Sequence, residues 1–205
     1  MPRHLSAHSG HGLDGAKARS PAPTRLRYGR RMSRGVVLWP DPNTAHVVRE
    51  LWDALSDGGL TSLATHSHRL HQPHCSLSVA EELPADEALD AVGVVPSQPI
   101  PLLVGSVGVF PPNGTLFLSC VANQALLSEQ RRVHRALAPM AVQPWPYFEF
   151  DAWVPHITLS MGMTPDELAT AIPLVMDRLP ILGTFDHGGV DDGTTGENWP
   201  APSPV

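Results

Sequence analysis

The chain has 205 residues, 42% of them hydrophobic, and a formal net charge of −6. None of its apolar runs approaches the roughly 18 to 20 residues that span a bilayer, which excludes a membrane-spanning helix. Its two cysteines, Cys75 and Cys120, have no metal-binding spacing and form no disulfide framework. The apolar run after Arg30 and Arg31 is too short for an export signal, so we expect a cytoplasmic protein.

Charge is divided unevenly along the chain. Residues 1–34 contain eight of the 14 basic residues and a single acid, Asp14, so they carry +7 and the remaining residues carry −13. Long nucleic acids are bound mainly through basic side chains that neutralise phosphates. The acidic body therefore argues against extended nucleic-acid binding and favours a small or short substrate.

The two ends of the chain have the composition of disordered segments. Residues 1–34 are rich in Gly, Ser, Pro, His and Arg and show no apolar period. Two interpretations of this arm remain open: it is a basic arm that holds RNA, or Met32 is the natural start of the protein. Residues 191–205 are predicted to be a second disordered tail, which leaves residues 35–190 as the folded domain.

Between these ends, short apolar strands alternate with amphipathic helices. Strands are predicted at 35–39, 75–79, 100–110, 115–121, 154–161 and 181–185. Apolar residues from Val48 to Leu55 recur with helical spacing, a second helix is predicted over 124–137, and Thr164–Glu167 forms a capping box that starts another. Pro-Pro-Asn-Gly at 111–114 predicts a hairpin. The pattern indicates the α+β class with a largely antiparallel sheet.

One hexapeptide occurs twice. Pro73–Ser78 reads Pro-His-Cys-Ser-Leu-Ser, and Pro155–Ser160 reads Pro-His-Ile-Thr-Leu-Ser, 82 residues later. Each copy follows an apolar strand and an amphipathic helix, and each precedes a helix start that contains proline. A repeated strand, helix, strand, helix unit predicts a bilobal molecule with pseudo-two-fold symmetry.

Strand geometry gives the repeat a chemical meaning. Side chains at i and i+2 share a face, so His74 projects with Ser76, and His156 projects with Thr158. If the lobes bring the two strands together, one neutral imidazole can accept a proton while the other, protonated, donates one. The hydroxyls can donate hydrogen bonds to phosphate oxygens. We therefore predict His74 and His156 as a catalytic acid/base pair, with either residue in either role, and Ser76 and Thr158 as phosphate-binding residues.

The paired His-x-[Ser/Thr]-Leu motifs resemble those of the 2H phosphoesterase superfamily, particularly its 2'-5' RNA ligase-like and RNA 2',3'-cyclic phosphodiesterase branch. Trp153–Leu159 is similar to that branch's second motif and residues 105–121 to its central hairpin. The first motif departs from the pattern, with Ser76 for the commoner Thr and Cys75 where an aliphatic residue is usual. The resemblance covers about residues 35–187.

The resemblance implies a bilobal, pseudo-two-fold α+β fold with mainly antiparallel sheets, flanking helices and a central cleft. It also implies hydrolysis of 2',3'-cyclic phosphates of nucleotides or RNA ends, and in vitro the reverse ligation. No metal and no cofactor are expected, the partner is a small nucleotide or RNA end, and we expect a monomer without membrane contact.

Two other functions are compatible with the sequence. The same cleft would serve a non-catalytic module that binds a nucleotide or an RNA end. A metal-dependent hydrolase would instead use the run of histidines His66, His68, His71 and His74.

Two further groups of residues are candidates for substrate contacts. Tyr147 and Trp153 precede the second motif and would stack on a base, although packing beneath their loop is an equally good explanation. Arg131, Arg132 and Arg135 form the basic cluster of the body. They would attract a phosphate, or they are simply one exposed face of a helix.

Overall fold

The computed structural model describes residues 33–202, so Met32 and the predicted N-terminal arm up to that residue lie outside the described residues. Arg34, predicted as the last residue of the disordered arm, instead begins the first strand. The strands are β1 (Arg34–Pro40), β2 (Cys75–Glu82), β3 (Ile100–Phe110), β4 (Thr115–Cys120), β5 (Val142–Pro144), β6 (His156–Ser160), β7 (Ile181–Asp192) and β8 (Asn198–Pro200). The helices are α1 (Pro42–Asp57), α2 (Ala85–Val92), α3 (Gln124–Leu137) and α4 (Pro165–Met176). No helix in this range is long and apolar enough to cross a membrane.

Local sequence features place the elements where they were predicted. α3 covers 124–137 and is capped by Asn123, whose side chain accepts a hydrogen bond from the amide of Leu126. The predicted capping box at Thr164 and Glu167 is present at the start of α4. β3 and β4 form the predicted hairpin, with Gly114 in the left-handed conformation at φ 59°. Every strand pairing is antiparallel, which confirms the α+β class.

The order of the strands reproduces the sequence repeat. One sheet runs β5-β2-β1-β7-β3-β4-β6, and β8 pairs with β7. The strands β2, β1 and β7 of one half correspond to β6, β4 and β3 of the other. Between β2 and β6, the sheet therefore shows the same order of corresponding strands from either end. A pseudo-two-fold axis therefore passes between β7 and β3, and the predicted pseudo-symmetry is confirmed.

Both motif strands contain the same irregularity. Within Ser76–Ser78 the middle residue, Leu77, falls opposite no residue of β1, and within Thr158–Ser160 the middle residue, Leu159, falls opposite none of β4. Such a bulge turns the strand about its axis. The first hydroxyl of each motif is therefore half-buried on one face, while the second hydroxyl and the middle leucine are buried.

The two halves are interleaved through their helices. α1, from the first half, packs against α4 and β6 of the second, and α3, from the second half, packs against α2 and β2 of the first. Trp52 of α1 donates its indole N–H to the carbonyl of Thr158 at 3.1 Å. In the opposite direction, the buried amide of Gln130 of α3 donates to the carbonyl of Leu77 at 3.3 Å. One continuous apolar core results, so the lobes are not separable units.

The prediction of a disordered tail from Asp191 is wrong up to Pro200. β7 continues through Asp192, and β8 pairs back onto it. The carboxylate of Asp192 accepts hydrogen bonds from the amides of Thr194 and Thr195 in the connecting turn and pairs with Arg34 at 3.0 Å. These tertiary contacts order a polar segment whose composition alone suggested a loose end.

A single carboxylate joins α1 to β7. Asp41 caps the helix by accepting from the amide and hydroxyl of Thr44, and it also accepts from the amide of Thr184 at 2.7 Å. Burial raises the pKa of Asp41, but these hydrogen bonds to its charged form outweigh burial and bring the pKa below its ordinary value of 3.8. Its stabilising contribution is therefore complete above pH 3.8 and is lost as the pH falls towards the lower pKa of the folded protein.

We expect Asp41→Ala to lower the free energy of unfolding by about 2 kcal/mol, because it removes a helix cap together with a tertiary hydrogen bond. Thr164→Ala is the matched control, since it removes a cap whose bonds stay within α4. It should cost less. Urea unfolding at pH 7 measures both, and equal losses would show that the bond to β7 contributes nothing.

Candidate active site

The structure brings the two motif strands into contact. β2 and β6 pack against each other although they lie far apart in the sheet order. Trp153, just before the second motif, donates its indole N–H to the carbonyl of Ser76 in the first motif at 3.0 Å. His74 and His156 are close enough for the charge of one to affect the pKa of the other. The structure therefore brings the two motifs, and with them the four predicted residues, close together.

The two histidines are held by the same hydrogen bond. Nδ1 of His74 bonds to the carbonyl of Gln72 at 2.8 Å, and Nδ1 of His156 bonds to the carbonyl of Val154 at 2.6 Å. A carbonyl only accepts, so Nδ1 carries the proton in each ring. Nε2 is left in both rings as the nitrogen that can exchange a proton with a substrate.

Burial alternates along both motifs in the predicted way. Ser76 and Thr158 are half-buried on the face of the histidines, whereas Cys75 and Ile157 are completely buried. Cys75 meets the free thiol of Cys120 in the core. The hydrogen bond between the thiols, together with burial, raises the pKa of Cys120, so these cysteines are packing residues.

His156 lies against two phenylalanines that the sequence analysis did not identify. Its ring meets Phe110 edge-on at 5.0 Å between centroids and Phe117 at 5.1 Å, and the two phenyl rings stack at 4.3 Å. Gly108 makes room for them, because a Cβ there would lie 2.2 Å from the Phe117 ring. The pairing of Phe117 with Thr158 across β4 and β6 was the available clue, but it required the strand register.

This environment changes the acidity of His156. Burial lowers the pKa of His156, the bond to the Val154 carbonyl opposes that effect, and the charge of His74 lowers the pKa further. The net result is a pKa below the ordinary 6.5. His156 is therefore neutral at pH 7, with Nε2 able to accept a proton.

A third histidine lies on the same face of the sheet. Val37 of β1 pairs with Ser76 of β2 on one side and with Gly189 of β7 on the other. Two residues further along β1, Trp39 pairs with His187, so the side chains of Trp39 and His187 share the face of Ser76. The His187 ring packs on Trp39 at 5.5 Å between centroids, and its Nδ1 bonds to Asp186 at 2.5 Å. Sequence reasoning missed Asp186 and His187 because the last strand was predicted to end at residue 185.

The predicted stacking residues have different positions. Tyr147 is 49% exposed on the loop before β6, which leaves its ring accessible. Trp153 is only 9% exposed, and its indole N–H is bonded to Ser76, so the prediction that it stacks on a substrate is wrong. Packing between the strands, rather than a place on the rim, accounts for this tryptophan.

The three arginines of the predicted basic cluster have different surroundings. Arg132 pairs with Glu129 at 2.7 Å and donates to the carbonyls of Val92 and Val94. It is therefore occupied in holding α2 and α3 together. Arg131 and Arg135 are exposed on the outer face of α3.

The histidines of the loop before β2 pack on one another. The His68 and His71 rings lie 4.1 Å apart, and His66 lies 6.0 Å from His71. Burial, together with the charges of His68, His74 and His66, lowers the pKa of His71 to about 4. Within residues 33–202, no group of three or more His, Cys, Asp or Glu side chains is arranged to hold a metal ion.

A comparison with protein-family models identifies the family of the chain. The family model described as "2'-5' RNA ligase superfamily" matches residues 37–189. No curated protein matches the chain. Among solved structures, Kluyveromyces marxianus Usb1 with uridine monophosphate is 12% identical, with a TM-score of 0.44, covering 83% of this chain and 98% of that chain. A second structure of Kluyveromyces marxianus Usb1 is also 12% identical, with a TM-score of 0.45 and coverage of 82% and 97%.

The surroundings of His156 lead to a prediction about its titration. Its imidazole should titrate below pH 6.5, and His74→Gln should raise the pKa of His156 because a nearby positive charge is removed. Phe110→Ala should also raise it by admitting water to the ring. Histidine NMR titration of the three proteins measures these shifts, and a wild-type pKa of 6.5 or above would contradict the burial of the ring.

Proposed function

The chain belongs to the 2'-5' RNA ligase superfamily of 2H phosphoesterases, and we propose that it is a metal-independent phosphodiesterase that opens 2',3'-cyclic phosphates of nucleotides or RNA ends. The observation that carries the proposal is the matched pair of Nδ1–carbonyl bonds at His74 and His156. These bonds leave two Nε2 atoms, one from each half, for one proton acceptor and one proton donor.

The environments of the two histidines support a division of labour. His156 is the base, because its lowered pKa keeps the ring neutral, and this leaves His74 as the acid. Nε2 of His156 accepts a proton from water as the water oxygen bonds to phosphorus. The bond from phosphorus to O3' breaks, His74 donates a proton to O3', and the product carries a 2'-phosphate and a 3'-hydroxyl. If a 5'-hydroxyl takes the place of water, the same steps form a 2'-5' linkage.

Ser76 and Thr158 suit the charge that develops on the phosphate. Each lies two residues after a histidine on the same face of its strand, one in each half. Their hydroxyls donate to the two non-bridging oxygens, whose negative charge increases as the nucleophile adds. Phe110 and Phe117 shield one side of His156 from water, and this strengthens the polar interactions inside the cleft.

His74→Ala and His156→Ala should each lower turnover of a 2',3'-cyclic nucleotide at least about a hundredfold, the usual contribution of a positioned acid or base. His46→Ala is the control, since that imidazole is 74% exposed on α1 beside Glu50. Phosphorus NMR follows both substrate and product. Tight binding of the nucleotide without conversion by the wild type would instead support the non-catalytic module.

The hydroxyls are tested by pairs of substitutions. Ser76→Ala and Thr158→Val should each lower kcat about a hundredfold, as expected for losing a hydrogen bond made in the transition state. Ser76→Thr and Thr158→Ser keep a hydroxyl and should retain most of the activity. If the alanine and valine variants matched the wild type in kcat, these residues would have no role in binding the phosphate.

A further inference from the structure

Two arginines of α3 and a phenylalanine of the loop that leads to the second motif form an exposed cluster. Phe150 is 37% exposed, and the guanidinium groups of Arg131 and Arg135 lie 5.9 Å and 5.3 Å from its ring centroid. The arginines are on successive turns of α3, so their side chains share one face of the helix. We call these three residues the arginine patch.

The patch arginines differ from most others in residues 33–202. Within these residues, the guanidinium groups of Arg131 and Arg135 contact the Phe150 ring and form no ion pair with a carboxylate. Three other arginines are paired with acids: Arg34 with Asp192, Arg132 with Glu129 and Arg178 with Glu50. The carboxylate of Glu149, beside the patch, is 3.5 Å from His134 instead. Two guanidinium groups therefore remain available to an anion in a body that is otherwise acidic.

Local contacts join the patch to the motif strand β2. His134, between the two patch arginines in α3, bonds to the hydroxyl of Ser78 at 3.1 Å. The loop that carries Phe150 is attached to the same strand at both ends, by the amide of Trp145 bonding to the carbonyl of Val79 and by Trp153 bonding to the carbonyl of Ser76. The patch therefore lies beside β2, the strand that carries the first motif, and exposed Tyr147 is on the same loop as Phe150.

We propose that the arginine patch binds the nucleotides that precede the 3' end of a single-stranded RNA whose terminal phosphate occupies the cleft. The proposal rests on the proposed function, since that function places the 3' end between the two histidines. Guanidinium groups recognise phosphates, and aromatic rings stack on unpaired bases of any sequence. Two arginines match two phosphates, so the contact is limited to a short strand, as the acidic body requires.

The test is the binding of a fluorescent ten-nucleotide RNA with a 3'-phosphate, measured by anisotropy over a series of salt concentrations. In the full chain, Arg131→Gln with Arg135→Gln should reduce the slope of log affinity against log salt by about 1.4, corresponding to two single-strand phosphates. Phe150→Ala should lower affinity about fivefold or more through lost stacking. Turnover of a cyclic mononucleotide, which has no preceding nucleotides for the patch to bind, should be unchanged in both.

Arg49→Gln with Arg178→Gln is the control, because it removes the same charge from α1 and from the segment after α4, outside the patch. An unchanged salt slope in the patch double variant, or an equal change in the control, would overturn the proposal. Because binding is measured without turnover, the two proposals fail separately. Patch-dependent binding with no hydrolysis of any cyclic phosphate would contradict the proposed function alone.

Discussion

Both motif strands depend on an indole hydrogen bond supplied from outside their own half. Trp52 of the first half donates to the carbonyl of Thr158, and Trp153 of the second half donates to the carbonyl of Ser76. The acceptors are the backbone groups of the two hydroxyl residues themselves. Loss of either bond removes a hydrogen-bond partner from a motif strand, and a buried carbonyl left unsatisfied costs more than an ordinary hydrogen bond gains. The two halves of the site are therefore fixed relative to each other by the core that surrounds them.

The two halves are pseudo-symmetric, but the surroundings of His74 and His156 are different. Their Nδ1 bonds and strand bulges correspond, which gives both rings the same tautomer and both first hydroxyls the same face. His156, however, lies against two phenyl rings, whereas the first half has Trp39 and His187 on the corresponding face. The repeated unit supplies two imidazoles with matching Nδ1 bonds, while burial, together with the charge of His74, lowers the pKa of His156.

The arginine patch and the acidic body are consistent with one kind of substrate. A uniformly basic surface would hold long nucleic acid anywhere along its length. Here Arg132 forms an ion pair with Glu129. Arg131 and Arg135 remain exposed beside the ring of Phe150. The exposed guanidinium groups are confined to one helix face beside β2, and this arrangement suits a short strand better than a long one.

The sequence by itself determined the motif pairs, the antiparallel α+β class, the boundaries of α3 and the pseudo-symmetry, because these follow from short-range periodicity and from the repeat. Only the tertiary structure decided that Phe110 and Phe117 flank His156, that Trp153 is a core residue and that residues 191–200 form a hairpin. Each of these depends on strand register or on contacts between distant segments. Alternation along one strand shows which residues share a face, but only pairing with another strand decides what that face meets.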